Sequence, residues 1–145
     1  MSRPLHLHPQ YLALVAAGGV LGALARYGLG QAVPSPGQWP LPTLLINLSG
    51  ALVLGWLLES LARRGPDEGR RRLIRLTAGT GFLGAFTTYS TFSLETVQLL
   101  DAGRAADAFG YLAASLLGGT LATILGIALG HRLHGGRAGA AEGAQ

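Results

Sequence analysis

Between Gly81 and Phe92 the sequence reads GFLGAFTTYSTF, with hydroxyls at Thr87, Thr88, Ser90 and Thr91, two glycines and four aromatic residues. The surrounding segment is otherwise apolar and long enough to cross a membrane. A lipid-facing helix does not concentrate hydroxyls in this way. Such a stretch is tolerated in hydrocarbon only where the polar groups face protein or a wet path. The spacing therefore predicts an interrupted membrane helix at the centre of a conduction or binding site.

The other polar residues inside apolar stretches are few. Asn47 is the lone amide deep in its span, on a face with Gly50, Ala51 and Gly55. It serves either as an interhelical hydrogen bond, worth about 0.6–2 kcal/mol, or as a donor to a passing ion. Further along, Tyr111, Ser115 and Gly119 share one helical face, with Thr123 at its margin. Ser and Thr in membrane helices commonly bond their own i−4 carbonyl, and a ligand track is the competing reading. Arg26 and Glu95 lie near span ends, where each either snorkels to the interface or marks an aqueous vestibule. His6, His8, His131 and His134 fall in the tails and are read as solvated.

These groups supply hydroxyls, one amide and aromatic edges, with no carboxylate inside the first, second or fourth span. Proton-coupled cation export requires such an acid. An anion instead wants donors, and amide N–H, hydroxyl O–H and positively polarised ring edges provide them without fixed charge. Weak donors in series can pass a small anion along. A helix break adds free backbone carbonyls, which suit a small cation such as sodium.

Four elements must hold these groups. The 145 residues are 49% hydrophobic and 12% charged, against about 25% charged in a soluble domain, so we expect an all-α membrane protein forming one domain over residues 1–145. Apolar spans run from about 10 to 33, 41 to 62, 73 to 100 and 108 to 130, each near the roughly 20 residues that cross a bilayer. The first is not expected to be a cleaved signal peptide, given its glycines and Arg26. PSPGQWP, RRGPDEGRRR and DAGRAAD are connections, and residues 131–145 read as a flexible tail. Cysteine is absent, which excludes disulfides, zinc–thiolate sites and cysteine nucleophiles.

Four spans put both termini on one side. That side carries nine of the eleven arginines, with Arg26 and Arg104 opposite, so the termini are expected in the cytoplasm. No basic face with interleaved aromatics suggests nucleic acid. Gly18/Gly22, Ala51/Gly55 and Gly126/Gly130 repeat at i, i+4, a spacing that lets helices approach closely in lipid. They predict a tight bundle, with a second copy to help line a path.

With these residues in view, the sequence resembles the CrcB, or Fluc, family of fluoride channels over about Gly18 to Thr123. The resemblance rests on GGVLGALARY at Gly18–Tyr27, NLSGALVLG at Asn47–Gly55 and GFLGAFTTYSTFS at Gly81–Ser93. It implies four transmembrane helices with a break in the third and an antiparallel dual-topology dimer in a prokaryotic cell membrane. Two fluoride pathways and a central structural sodium follow from the same resemblance. It assigns Asn47, Tyr89, Ser90, Thr91, Phe92, Tyr111, Ser115 and Thr123 to the pathway and Arg26 to a vestibule. Backbone carbonyls of Gly84 and Thr87 would hold sodium. Tyr89 replaces the usual Phe, and Gly119 stands where another hydroxyl is expected. The arginine split leaves two assemblies. Either dimerisation overrides the positive-inside rule, or the chain pairs with an oppositely oriented homologue. The homodimer is expected, because this one chain retains all three motifs.

The implied function is passive export of cytoplasmic fluoride, relieving its toxicity. A small four-helix multidrug or cation exporter is the alternative, and the missing carboxylate argues against it. An accessory membrane subunit would leave the Thr87–Thr91 cluster without purpose. No nucleophile–base pair or metal cage suggests an enzyme.

Overall fold

Prolines and glycines set where the helices start and stop. In the computed structural model, which describes residues 8–142 and side chains through Leu133, α1 spans Pro9–Ala32. Pro9 takes the first helical position, where its missing N–H costs nothing. Pro34 forces Val33 into extended backbone (φ −95°, ψ 123°) and ends the helix. A short turn at Pro36–Gln38 leads to α2, Leu41–Ala62, again with a proline in its first turn. The segment that follows is built in pieces: α3 at Gly69–Ile74, a π-helical stretch at Arg75–Leu83, α4 at Gly84–Phe86 and α5 at Tyr89–Asp101. Gly103, at φ +71°, turns the chain in a left-handed conformation that costs glycine little. Then α6 runs from Ala105 to Glu142.

Every described element is helical. Three helices are long and apolar enough to cross a membrane: α1, α2 and α6 over Ala105–Leu133. The α2 limits match those read from the sequence, and those of α1 differ by one residue at each end. The helix α6 starts three residues before the expected position and continues past His131, where a flexible tail was expected. The backbone continues as helix to Glu142, although its three glycines there offset its three alanines in helix propensity. His6 lies outside the described residues, as does the side chain of His134.

Packing falls into two pairs. α2 lies along α6, and α1 lies along the π-helical stretch and α4. The glycines sit at these seams. A methyl group added to Gly18 would strike the Thr77 carbonyl, and one on Gly22 the Phe82 carbonyl. On Gly81 it would lie 2.6 Å from the Val15 carbonyl. In the other pair, a methyl on Gly55 would lie 2.6 Å from the Thr123 carbonyl, and one on Gly126 would strike that of Leu52. Backbone meets backbone at both seams, as expected where lipid gives helices no hydrophobic drive to associate.

One end of the bundle holds a small core of Leu44, Leu99, Ala108 and Tyr111, with Trp39 and Phe92 against it. There Arg104 ties two loops together, donating to Asp107 Oδ2 and to the Gly37 carbonyl, both at 2.8 Å. At the opposite end, Arg71 donates to the Pro66 and Arg64 carbonyls at 2.8 and 2.7 Å.

Candidate functional site

The helical series stops at Phe86 and resumes at Tyr89. Thr87 (φ −76°, ψ 158°) and Thr88 (φ −147°, ψ 124°) between them are extended. Extended residues cannot make the i→i−4 bonds of a helix, so backbone groups on both sides need other partners. Thr87 solves part of this locally. Its N–H and its hydroxyl both donate to the Leu83 carbonyl, at 3.1 and 3.0 Å.

Asn47 solves the next part from α2. Its Nδ2 donates to the Thr88 carbonyl at 3.0 Å, and its Oδ1 accepts the Thr88 N–H at 2.9 Å. The side-chain amide thus stands in for a peptide group. Thr88 is buried, so leaving its two backbone groups unpaired would cost about 1–3 kcal/mol each. Of the two roles read for Asn47, the hydrogen bond between segments is realised. One of its two amide hydrogens remains beyond the Thr88 bond.

Thr88 also starts the next helix. Its Oγ1 accepts the Thr91 N–H at 3.2 Å, a helix N-cap, and donates to Thr91 Oγ1 at 3.0 Å. Ser90 Oγ lies 3.3 Å from the same hydroxyl. Ser90 and Thr91, expected on a pathway, are gathered into this cap. Thr88 carried no site role in the sequence reading. A Thr directly ahead of a helix-forming run is the N-cap signal that points to it.

Beside the break lies a concavity of about 480 Å³. Asn47, Thr87, Thr88, Tyr89, Phe92 and Ser115 line it, with Gly84 and Thr123 at further points of its wall. It therefore collects residues from α2, the segmented region and α6. None of its lining residues is charged. Ser115 Oγ is buried and has no hydrogen-bond partner. Thr123, by contrast, donates to the Gly119 carbonyl at 2.9 Å, the local bond that membrane hydroxyls favour. Tyr89 is 81% exposed, and its ring centroid stands 6.1 Å from that of Phe92.

Behind Phe92 the wall is polar again. Tyr111 is fully buried, with its ring 5.2 Å from Phe92 and 5.7 Å edge-on from Trp39. Its hydroxyl donates to Glu95 Oε2 at 2.8 Å, and the Thr43 hydroxyl donates to Glu95 Oε1 at 2.8 Å. Glu95 was read as snorkelling or lining a vestibule. Its carboxylate accepts from hydroxyls of α2 and α6, and the residue also lines an opening of about 380 Å³ at this end of the bundle with Gln98 and Arg104. Thr43 was not picked out from the sequence. It sits one turn before Asn47 on α2, the spacing at which two residues share a face. Tyr111 and Arg26 both lie outside the concavity, and no residue of α1 lines it.

Chemically, the concavity offers neutral donors and ring edges. Thr87, Thr88 and Thr123 spend their hydroxyl protons within the protein. The donors left over are the second amide hydrogen of Asn47 and the hydroxyls of Ser115 and Tyr89, with the Phe92 ring beside them. The Thr87 N–H closes the last turn before the break on the Leu83 carbonyl. The Thr88 N–H, which in a continuous helix would return to the Gly84 carbonyl, goes to Asn47 instead.

Three long apolar helices, with a segmented fourth region and a neutral concavity beside its break, define a multi-pass membrane protein. The chain belongs to the CrcB-like family: residues 13–127 match the family described as "CrcB-like protein, Camphor Resistance (CrcB)". It is 52% identical over 129 residues to "Fluoride-specific ion channel FluC 2" of Leifsonia xyli subsp. xyli, covering 89% of each chain. It is 46% identical over 127 residues to "Fluoride-specific ion channel FluC" of Bordetella petrii, covering 88% of this chain and 96% of that one. It is 44% identical over 121 residues to "Fluoride-specific ion channel FluC 1" of Bacillus thuringiensis subsp. konkukian, covering 81% and 85%.

Proposed function

We propose that the chain forms a fluoride channel that lets cytoplasmic fluoride leave passively, relieving its toxicity. The observation that carries this reading is the lining of the concavity. It combines spare neutral donors with an aromatic edge and has no charged residue. A small anion is held there by Asn47, Ser115 and the Phe92 edge, each weak enough to release it. A fixed cation would trap the ion, and a carboxylate would repel it. The names of the relatives support the same ion.

The third membrane-spanning segment is, in this proposal, the region from Gly69 to Asp101, broken at Thr87–Thr88. Each protomer leaves the concavity, a largely apolar lining with a few spare donors, open at the surface beside the exposed Tyr89, and lipid cannot partner those donors. A second copy in antiparallel orientation covers it and completes two pathways. The Gly84 and Thr87 carbonyls, next to the break, fit a hard cation bound by oxygen. A sodium ion held by these two residues and their copies would join the two breaks. Tyr111, Ser90, Thr91 and Thr123 line or brace the path through the bonds described above, and Arg26 faces a vestibule. The nine-to-two arginine split favours one insertion direction, so pairing with an oppositely oriented homologue is the second assembly. The numbered names of two relatives accord with paired copies.

The test is efflux from proteoliposomes loaded with fluoride or chloride. Rapid fluoride release with chloride retained is expected. Equal release of both ions, or of neither, would overturn the reading. Replacing sodium by a large organic cation should slow fluoride release, and an unchanged rate would remove sodium from the proposal.

A further inference from the structure

A second opening lies at the arginine-rich end, between the start of α1 and the π-helical stretch, with a volume of about 380 Å³. Its floor is apolar, formed by Leu12 and Val15 of α1 and Leu76 of the π-helical stretch. Arg72 and Arg75 stand among its lining residues with Asp67. Arg75 donates Nε to Asp67 Oδ1 at 3.0 Å and Nη2 to Oδ2 at 2.8 Å. Arg72 Nη2 donates to the Asp67 backbone carbonyl at 2.6 Å. The Arg75 hydrogen bonds hold the Asp67 carboxyl below the usual carboxylate range, so it stays ionised at neutral pH. Two guanidinium groups against one carboxylate leave a net positive charge. Each guanidinium carries five N–H donors, more than these bonds use. Asp67 holds both arginines in place, so little side-chain freedom is left to lose on binding a further anion.

We propose that this groove holds an anionic phospholipid, with its phosphate on the spare N–H groups of Arg72 and Arg75 and an acyl chain along Leu12, Val15 and Leu76. The placement argues for a lipid over a soluble anion. The helix ends bring the guanidinium groups to headgroup depth, and the apolar floor continues into the span. Free phosphate would use the arginines and leave that floor empty. A zwitterionic lipid would fill the floor and gain little from the surplus charge, whereas an anionic headgroup is attracted by the one net positive charge that two guanidinium groups and a carboxylate leave.

Native mass spectrometry of the full detergent-solubilised chain, offered phosphatidylglycerol and phosphatidylcholine in equal amounts, tests this. Phosphatidylglycerol should be retained about fivefold more. Arg72→Gln should remove most of that preference, whereas Arg70→Gln, on the same helix but outside the groove, should lower it much less. Equal retention of the two lipids, or equal losses in the two variants, overturns the proposal. So does displacement of phosphatidylglycerol by millimolar inorganic phosphate, which would make the site one for a soluble anion. If Arg72→Gln fails to elute as folded protein, the lipid comparison and the phosphate competition on the unmodified chain decide the matter.

Discussion

The two halves of the segmented region are held by opposite means. From Arg75 to Phe86 the chain is fixed to α1 by backbone contact through Gly18, Gly22 and Gly81, and no side-chain hydrogen bond joins the two among those described. From Thr87 to Asp101 it is fixed by side-chain hydrogen bonds, Asn47 to Thr88, Thr43 to Glu95 and Tyr111 to Glu95. The difference follows from the break. A helix with its backbone bonds made needs only shape from its neighbour. A backbone with orphaned groups needs polar partners, and in a membrane these must come from the protein. Hence the first half can be tight and apolar, while the second gathers the donors from which a site can be built.

This contrast can be broken most severely at Gly22. In Gly22→Val the new side chain meets the Phe82 carbonyl, and rigid backbone cannot step aside. Overpacking of about 1–3 kcal/mol or more is expected, enough to lose monodisperse protein on size exclusion. A well-folded Gly22→Val protein would show that the α1 seam is looser than its geometry.

The corresponding blow to the polar half is Asn47→Asp. The carboxylate still accepts the Thr88 N–H, but it faces the Thr88 carbonyl without a donor and repels an anion. Fluoride flux should vanish, and thermal stability should fall by about 1–3 kcal/mol. Undiminished flux would confine Asn47 to structure.

Phe92 and Tyr89 sharpen the comparison further. Phe92→Ile keeps the bulk and loses the polarised edge, so flux should nearly stop while elution stays normal. Tyr89→Phe keeps ring and edge, and flux should hardly change. A conducting Phe92→Ile protein would make the ring a packing element only, and a silent Tyr89→Phe would assign a role to its hydroxyl.

The smallest structural effect is expected at Ser115. Its hydroxyl is buried without a partner in the protein, so Ser115→Ala breaks no hydrogen bond and should leave the melting temperature unchanged or slightly raised. Flux should nonetheless fall. A stability loss without a flux change would place the hydroxyl in packing.

The sequence alone carried the helical class, three of the spans to within a few residues, the glycine seams and the location of the unusual stretch. Each of these depends on a local or periodic signal: apolar length against bilayer thickness, i, i+4 spacing, and hydroxyls where hydrocarbon disfavours them. Thr87, Thr88 and Thr123 spend their hydroxyl protons on partners three or four residues away, local bonds of the kind the sequence suggests. Tertiary structure decided that Ser115 Oγ is buried without a partner. The same holds for Glu95, whose hydroxyl partners Thr43 and Tyr111 arrive from two other helices. It holds for Asn47 as well, since its amide fits the Thr88 peptide only once α2 lies beside the break. Pairings across 41 and 52 residues of chain leave no periodic trace, and packing alone determines them.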